Sequence, residues 1–130
     1  MHDLAHIDCN VVAERFLKLD ELEFDGNDLT NEQTTALFNQ SEVRNNLKKL
    51  TVNRKWHLEH IEPTLFASFL SKIENVTVPF ILNLFEKEQL EELFKTIVDD
   101  QDATMKYLDV SGSRLDIVNL NILAKGINNL

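Results

Sequence analysis

The sequence predicts an α/β fold built from stacked repeats, in which short parallel strands alternate with helices. Two observations lead to this prediction. An apolar pattern with the two-residue alternation of a strand returns along the chain, and a second apolar pattern with helical spacing returns between its copies. A unit of this kind cannot bury its apolar edge alone, so neighbouring units must stack and share one continuous core.

The strand pattern is most complete at residues 19–29, which read L-x-x-L-x-L-x-x-N-x-L. It returns at residues 105–115, and looser copies begin at Leu47 and Ile73. Side chains alternate along a strand, so in each copy the apolar residues point inward and the polar ones outward. Every strand is entered from the same end, which predicts a parallel sheet with helical crossovers. The predicted strands are residues 21–25, 49–53, 75–78 and 107–111.

The helical pattern occurs in three copies that begin at Leu4, Leu58 and Leu115, with apolar residues at the same offsets in each. A second helical unit recurs between residues 29–38 and 85–94, where Glu-Gln and Leu-Phe pairs fall in register. The spacing of the copies predicts a repeat of about 27–29 residues. The predicted helices are residues 4–18, one starting near Asn31 behind a Thr30–Gln33 capping box, one with Pro63 in its first turn, 86–98 and 119–128.

These patterns resemble leucine-rich repeat proteins of the long, ribonuclease-inhibitor-like type, the type found in many intracellular immune receptors of the nucleotide-binding class. The resemblance covers nearly the whole chain, and it departs at Ser113, which stands where the first copy has Asn27. It implies a right-handed arc of about four strand repeats and an N-terminal half-repeat, with strands on the concave face and helices on the convex face. It implies protein recognition as the usual task, and no catalysis.

The outward strand positions are free to encode a partner, because they do not hold the core. They form columns across the predicted concave face, and the first strand makes that face acidic at one side. Tyr107 is the strongest single candidate, since exposed aromatic residues concentrate binding energy. The alternative for each position is an ordinary solvated face. The candidate partner-binding residues are Glu21, Glu23, Asp25, Lys49, Thr51, Asn53, Thr77, Tyr107 and Asp109.

Two turn residues and two loops complete the set of candidate residues. Gly26 permits a turn after the first strand, and the side chain of Asn27 is expected to bond the backbone of the following loop. Trp56, flanked by basic residues and His57, is either a secondary contact residue or a ring that packs over the repeat edge. The apolar loop 80–84 is expected to form a small satellite core rather than an exposed patch.

We expect no catalytic, cofactor-binding or metal-binding residues. His57 and His60 are separated by two residues, a spacing that could suggest metal ligands. However, His60 occupies the repeat position that holds His6 and Ile117 in the other copies, which indicates a structural role at this position. Cys9 likewise corresponds to an apolar position in the other copies. The chain shows no dinucleotide fingerprint, phosphate loop, nucleophile elbow or zinc-protease motif.

The formal net charge of −9 argues against nucleic acid or an anionic membrane surface as the partner. A single cysteine fits a reducing compartment, and neither a secretory signal nor a long apolar span is visible, so we predict a cytoplasmic location.

The leading hypothesis is a non-enzymatic module, residues 1–130, that binds a protein or peptide on its concave face. The second is a structural or self-assembling segment that forms a homodimer through its uncapped ends. The chain is expected to be either an excerpt of a longer array or a module that dimerises. This second hypothesis rests on two features: neither end shows a polar cap, and the strand at 107–111 has no predicted successor. An enzyme is the third hypothesis, and no motif supports it.

Overall fold

A computed structural model of the chain describes residues 6–54, 56–79, 85–110 and 113–116, together with 120 and 122. Helices and strands alternate from α1 to β4, as the sequence predicts. In order, the elements are α1 (Cys9–Leu17), β1 (Glu21–Asp25), α2 (Asn31–Ser41), β2 (Lys49–Asn53), α3 (Pro63–Ser71), β3 (Asn75–Thr77), α4 (Lys87–Asp99), β4 (Tyr107–Val110) and β5 (Ser113–Asp116). Of the predicted helix at 119–128, only residues 120 and 122 are described, both as helical. The loop at 80–84 lies outside the described residues.

The strands form one sheet in the order β1-β2-β3-β4-β5. The first four strands are parallel, which confirms the predicted sheet, and each is separated from the next by a helix. This arrangement follows from the sequence, because parallel neighbours need a long crossover and each crossover here contains an amphipathic helical segment.

The fifth strand corrects the sequence interpretation. Residues 113–116 pair antiparallel with β4, with Leu115 opposite Leu108, whereas the sequence pattern made Leu115 the start of a helical unit. The prediction of an unpaired last strand is therefore wrong. The physical reason is the chain length available: only two residues, Ser111 and Gly112, lie between the two strands. A connection that short joins antiparallel neighbours and cannot hold a crossover.

One face of the sheet is buried and the other is exposed. Along β1 the burial alternates, with Leu22 and Phe24 inside and their polar neighbours outside, and β2 repeats the pattern with Leu50 and Val52. The helices cover the buried face. The α1 residue Phe16, for example, lies 5.7 Å from Phe24, ring centre to ring centre.

Local hydrogen bonds explain where helix α2 begins. The Thr30 hydroxyl accepts a hydrogen bond from the Gln33 backbone N–H at 3.1 Å, and the Gln33 side chain accepts one from the Thr30 N–H at 2.9 Å. This is the predicted capping box, and it is confirmed together with the helix start at Asn31. Pro63 stands at the first position of α3, also as predicted.

The first repeat differs from the others at its outer end. Helix α1 is shorter than predicted because the Asp8 carboxylate accepts hydrogen bonds from the Asn10 and Val11 N–H groups and starts the helix there. Leu19, the first leucine of the strand pattern, is 44% exposed, whereas its counterparts Leu47 and Ile73 are buried. Among the described residues, no repeat precedes α1 to cover it.

Candidate functional site

The outward strand residues line up across the sheet in the predicted columns. The first column crosses the sheet from β1 to β4. In it Glu21 pairs with Lys49, Lys49 with Asn75, and Asn75 with Tyr107. The second column contains Glu23, Thr51, Thr77 and Asp109. The third is present only as Asp25 beside Asn53, because β3 ends at Thr77 and Ser111 lies outside the described residues. We refer to the residues of these three columns as the sheet face.

The strand ends of the sheet face are linked by polar contacts. The Asn53 amide donates a hydrogen bond to the Glu23 carboxylate at 2.9 Å, and the Arg54 guanidinium lies 3.3 Å from the Asp25 carboxylate. Arg54 adopts a positive φ of 65°, which turns the chain sharply after β2. Two of the three carboxylates of β1 are therefore oriented by the last residue of β2 and by the residue that follows it. Glu21 has no hydrogen bond or ion pair among the described residues.

Asn27 behaves differently from the prediction. Its side chain is exposed, and its amide oxygen lies 3.0 Å from the His57 ring nitrogen rather than bonding the backbone of the next loop. The backbone N–H of Asn27 donates to the Asp25 carboxylate at 2.9 Å, so Asp25 is the residue that holds the turn. The contact of Asn27 with His57 thus joins successive repeats at the surface.

A depression of about 320 Å³ lies on the sheet face over β2, β3 and β4. Its wall combines an ammonium group, a carboxylate, a phenol, an amide and a hydroxyl, so it offers both hydrogen-bond donors and acceptors. Tyr107 is 38% exposed at its rim, which makes the ring accessible, as a contact residue must be. The lining residues are Lys49, Asn75, Val76, Thr77, Tyr107 and Asp109.

Trp56 belongs to the core and not to a contact surface. It is only 1% exposed, and its ring centre lies 5.1 Å from that of Phe24 and 5.4 Å from that of Phe38. Its indole N–H points to the Thr34 hydroxyl at 3.4 Å. The hypothesis that Trp56 is a secondary contact residue is therefore wrong. Phe24 and Phe38 lie far from Trp56 along the chain, so the residues next to it in sequence could not reveal them.

The sequence also missed a polar clamp at the opposite end of the strands. Asp100 accepts hydrogen bonds from the Ser71 hydroxyl at 2.7 Å and from the Lys72 ammonium group at 2.6 Å. Burial acts to raise the pKa of Asp100, but these bonds outweigh it and hold the pKa below the ordinary value of 3.8. The backbone oxygen of Ser71 also accepts from Thr104 and Met105, so the clamp fixes the loop that leads into β4.

A groove of about 780 Å³ runs beside this clamp, where the chain enters the strands. The residues just before the strands alternate in charge: Asp20, Lys48, Glu74 and Lys106. Lys106 lies 3.1 Å from Glu74, which neutralises part of the groove. Because the charges alternate in sign, the groove does not favour a ligand of either charge. The sheet face is therefore the better candidate for a binding site.

Within the described ranges, no group of three or more histidine, cysteine or acidic side chains is placed to hold a metal ion. The helices in the same part of the chain are too short or too polar to cross a membrane. No family model, curated protein or solved structure matches this chain.

Proposed function

We propose that the chain is a leucine-rich repeat module, without catalytic activity, that binds a protein or an extended peptide on its sheet face. The observation that carries the proposal is the register of the three columns. Charged, polar and aromatic residues stand side by side across four strands, on a face that no described element covers. In the leucine-rich repeat interpretation, this face is the concave side of a right-handed arc.

The repeat architecture is supported by the way the strands are added. Each strand from β1 to β4 joins the sheet beside its predecessor, and each brings an inward apolar pair or its remnant, such as Leu22 and Phe24 in β1. Stacking of equivalent units is the physical basis of a solenoid. Helix α1, which precedes the first strand, corresponds to the proposed N-terminal half-repeat.

The chemistry of the face favours a polypeptide ligand. The depression around Tyr107 is lined by both hydrogen-bond donors and acceptors, and tyrosine is enriched among residues that dominate binding energy. The net charge of −9 disfavours nucleic acid and anionic membranes. The single cysteine supports a reducing, cytoplasmic location for the module.

The competing proposal of self-assembly loses its main support. It depended on an open edge at the last strand, but β5 pairs along β4 from Tyr107 to Val110 and occupies that edge. No observation at β4 therefore favours a homodimer over a monomeric binding module.

A displayed library of random linear peptides, selected against the intact chain, tests the proposal. Peptides that bind should lose at least about tenfold in affinity with Tyr107→Ala, since an interface anchor of this type is worth 1.4 kcal/mol or more. Lys49→Glu should change affinity or peptide preference as well. Glu92→Lys, an exposed position on α4, is the matched control and should bind as the parent does. Selected peptides whose affinity is the same for the parent, Tyr107→Ala and Lys49→Glu would contradict the proposed site.

A further inference from the structure

The two edges of the sheet are treated differently. At one edge the chain folds back and covers β4 with β5. At the other edge stands β1, which pairs with β2 on one side and with no described strand on the other. An uncovered edge strand offers its backbone hydrogen-bonding groups to another strand. The β1 edge is therefore a place where an additional strand can join the sheet.

The register identifies which backbone groups are available there. The Lys49 N–H donates to the Asp20 carbonyl at 3.1 Å, and Lys49 is the register partner of Glu21. In a parallel ladder the backbone N–H and C=O groups of successive residues point to opposite sides of the strand. The backbone groups of Leu22 and Phe24 therefore point toward β2, as those of Asp20 do. The N–H and C=O groups of Glu21 and Glu23 therefore point away from β2, toward the open side.

The apolar layer beneath β1 is also less completely covered than the interior of the sheet. Leu22 and Phe24 are each 7% exposed, whereas Leu50 and Val52 at the same positions of β2 are 0% and 1% exposed. Leu19, just before β1, is 44% exposed. The inward side chains of an added strand would cover this apolar surface, in the way that each repeat covers its neighbour.

Charge decides what kind of strand fits. The side chains of β1 that project onto the sheet face are all carboxylates, namely Glu21, Glu23 and Asp25. Like charges directly opposite each other across strands are destabilising, so β1 of a second copy is a poor occupant. Lysine or arginine opposite Glu21 and Glu23 would instead form favourable cross-strand pairs.

We propose that the β1 edge is a second binding site, distinct from the depression at Tyr107, which accepts an extended peptide of alternating basic and apolar residues by strand addition. The basic side chains lie beside the carboxylates of β1, and the apolar side chains cover the layer at Leu19, Leu22 and Phe24. The peptide backbone bonds the N–H and C=O groups of Glu21 and Glu23 that point away from β2. Such an alternation has the same pattern in both chain directions, so the proposal requires no choice between parallel and antiparallel addition.

The test uses a capped peptide of alternating lysine and valine, about seven residues long, enough to span the length of β1. Four comparison peptides accompany it. One has the same composition in two blocks, one has glutamate in place of lysine, and two have alternate backbone nitrogens methylated, one in each of the two phases. Binding to the intact chain is measured by fluorescence polarisation. Amide hydrogen exchange at Glu21 and Glu23 is followed by NMR.

The alternating peptide should bind, and the blocked and acidic peptides should bind at least about tenfold more weakly. One methylated phase should lose a similar factor, because its missing N–H groups are those that face β1. Each of Glu21→Lys and Glu23→Lys should weaken binding by about threefold, the size of one cross-strand charge pair. Glu92→Lys and Tyr107→Ala should leave it unchanged, and the amides of Glu21 and Glu23 should exchange more slowly in the complex.

Several results would overturn the proposal. Equal binding of the alternating and blocked peptides would indicate simple charge attraction, and so would equal binding of both methylated phases. Loss of binding in Tyr107→Ala would move the peptide to the depression, which would leave the function proposed for the sheet face standing. Self-association of the chain that competes with the peptide, detected by sedimentation velocity, would assign the edge to a second copy.

Discussion

Trp56 is the largest fully buried side chain among the described residues, and its removal should be among the most destabilising single changes. The side chain is 1% exposed and packs edge-on against Phe24, Phe38 and Phe66, with ring centres 5.1, 5.4 and 5.8 Å away. These three rings belong to β1, α2 and α3. Trp56→Ala therefore opens a cavity where three elements meet.

The expected cost follows from the volume lost. Truncation of a buried tryptophan to alanine costs about 3–5 kcal/mol, because the surroundings relax only in part. A single domain is typically stable by about 5–15 kcal/mol, so the variant loses at least about a fifth of its stability. With a urea slope near 2 kcal/mol per molar, the unfolding midpoint should fall by about 2 M. Trp56→Phe keeps most of the ring packing but loses the bond to Thr34, and should cost about 1–2 kcal/mol.

Equilibrium urea unfolding, followed by far-UV circular dichroism, measures both variants against the parent. Circular dichroism is needed because Trp56 is the only tryptophan, so the variants have no indole fluorescence. In the parent, the native fluorescence should be blue-shifted and poorly quenched by iodide. A Trp56→Ala midpoint close to that of the parent, or strong iodide quenching of the native parent, would refute the central role of this ring.

Two further predictions concern the last repeat and the polar clamp. Leu108 is fully buried, so Leu108→Asp places an unpaired charge in the core and should remove β4 from the cooperative thermal unfolding transition. Tyr107→Asn, a neutral change at the neighbouring outward position, should melt close to the parent. The pKa of Asp100 is lower in the folded protein than in the unfolded chain. Its hydrogen bonds therefore contribute their full stability at pH values above the unfolded-state pKa, and this contribution is lost as the pH falls through the folded-state pKa. Asp100→Asn should therefore cost about 1–2 kcal/mol at pH 7 and progressively less toward pH 3. Urea unfolding at pH 7, 5 and 3 measures this, and a constant difference between the two proteins would contradict the assignment.

Elements with a local signature were predictable from the sequence. Strands β1 and β2 lie where the alternation of polar and apolar residues places them, and α2 starts where the Thr30–Gln33 capping box requires. Each signature lies within a few residues, so no knowledge of distant contacts was needed. Strand β5 was missed because Leu115 ends one copy of the strand pattern and also begins one copy of the helical pattern. Its pairing with Leu108 depends on the short connection between the two strands.

The candidate site was predictable to a similar depth. The columns of the sheet face follow from side-chain alternation once the strands are in equivalent register, so Glu21 and Lys49 were placed side by side correctly. The contact between Asn53 and Glu23 and the depression beside Tyr107 depend on side-chain conformations that no repeat pattern specifies. The clamp at Asp100 joins residues of different repeats, and the sequence shows it only as a polar break.

The sequence by itself determined the alternation of strand and helix, the parallel order of four strands and the identity of the outward-facing residues. These properties depend on the period of apolar residues, which is a local quantity. Only the tertiary structure decided that Trp56 is buried, that one sheet edge is covered by β5 and that the β1 edge is uncovered among the described residues. Burial and edge pairing depend on which distant segments meet, and the period of apolar residues within one segment does not specify that.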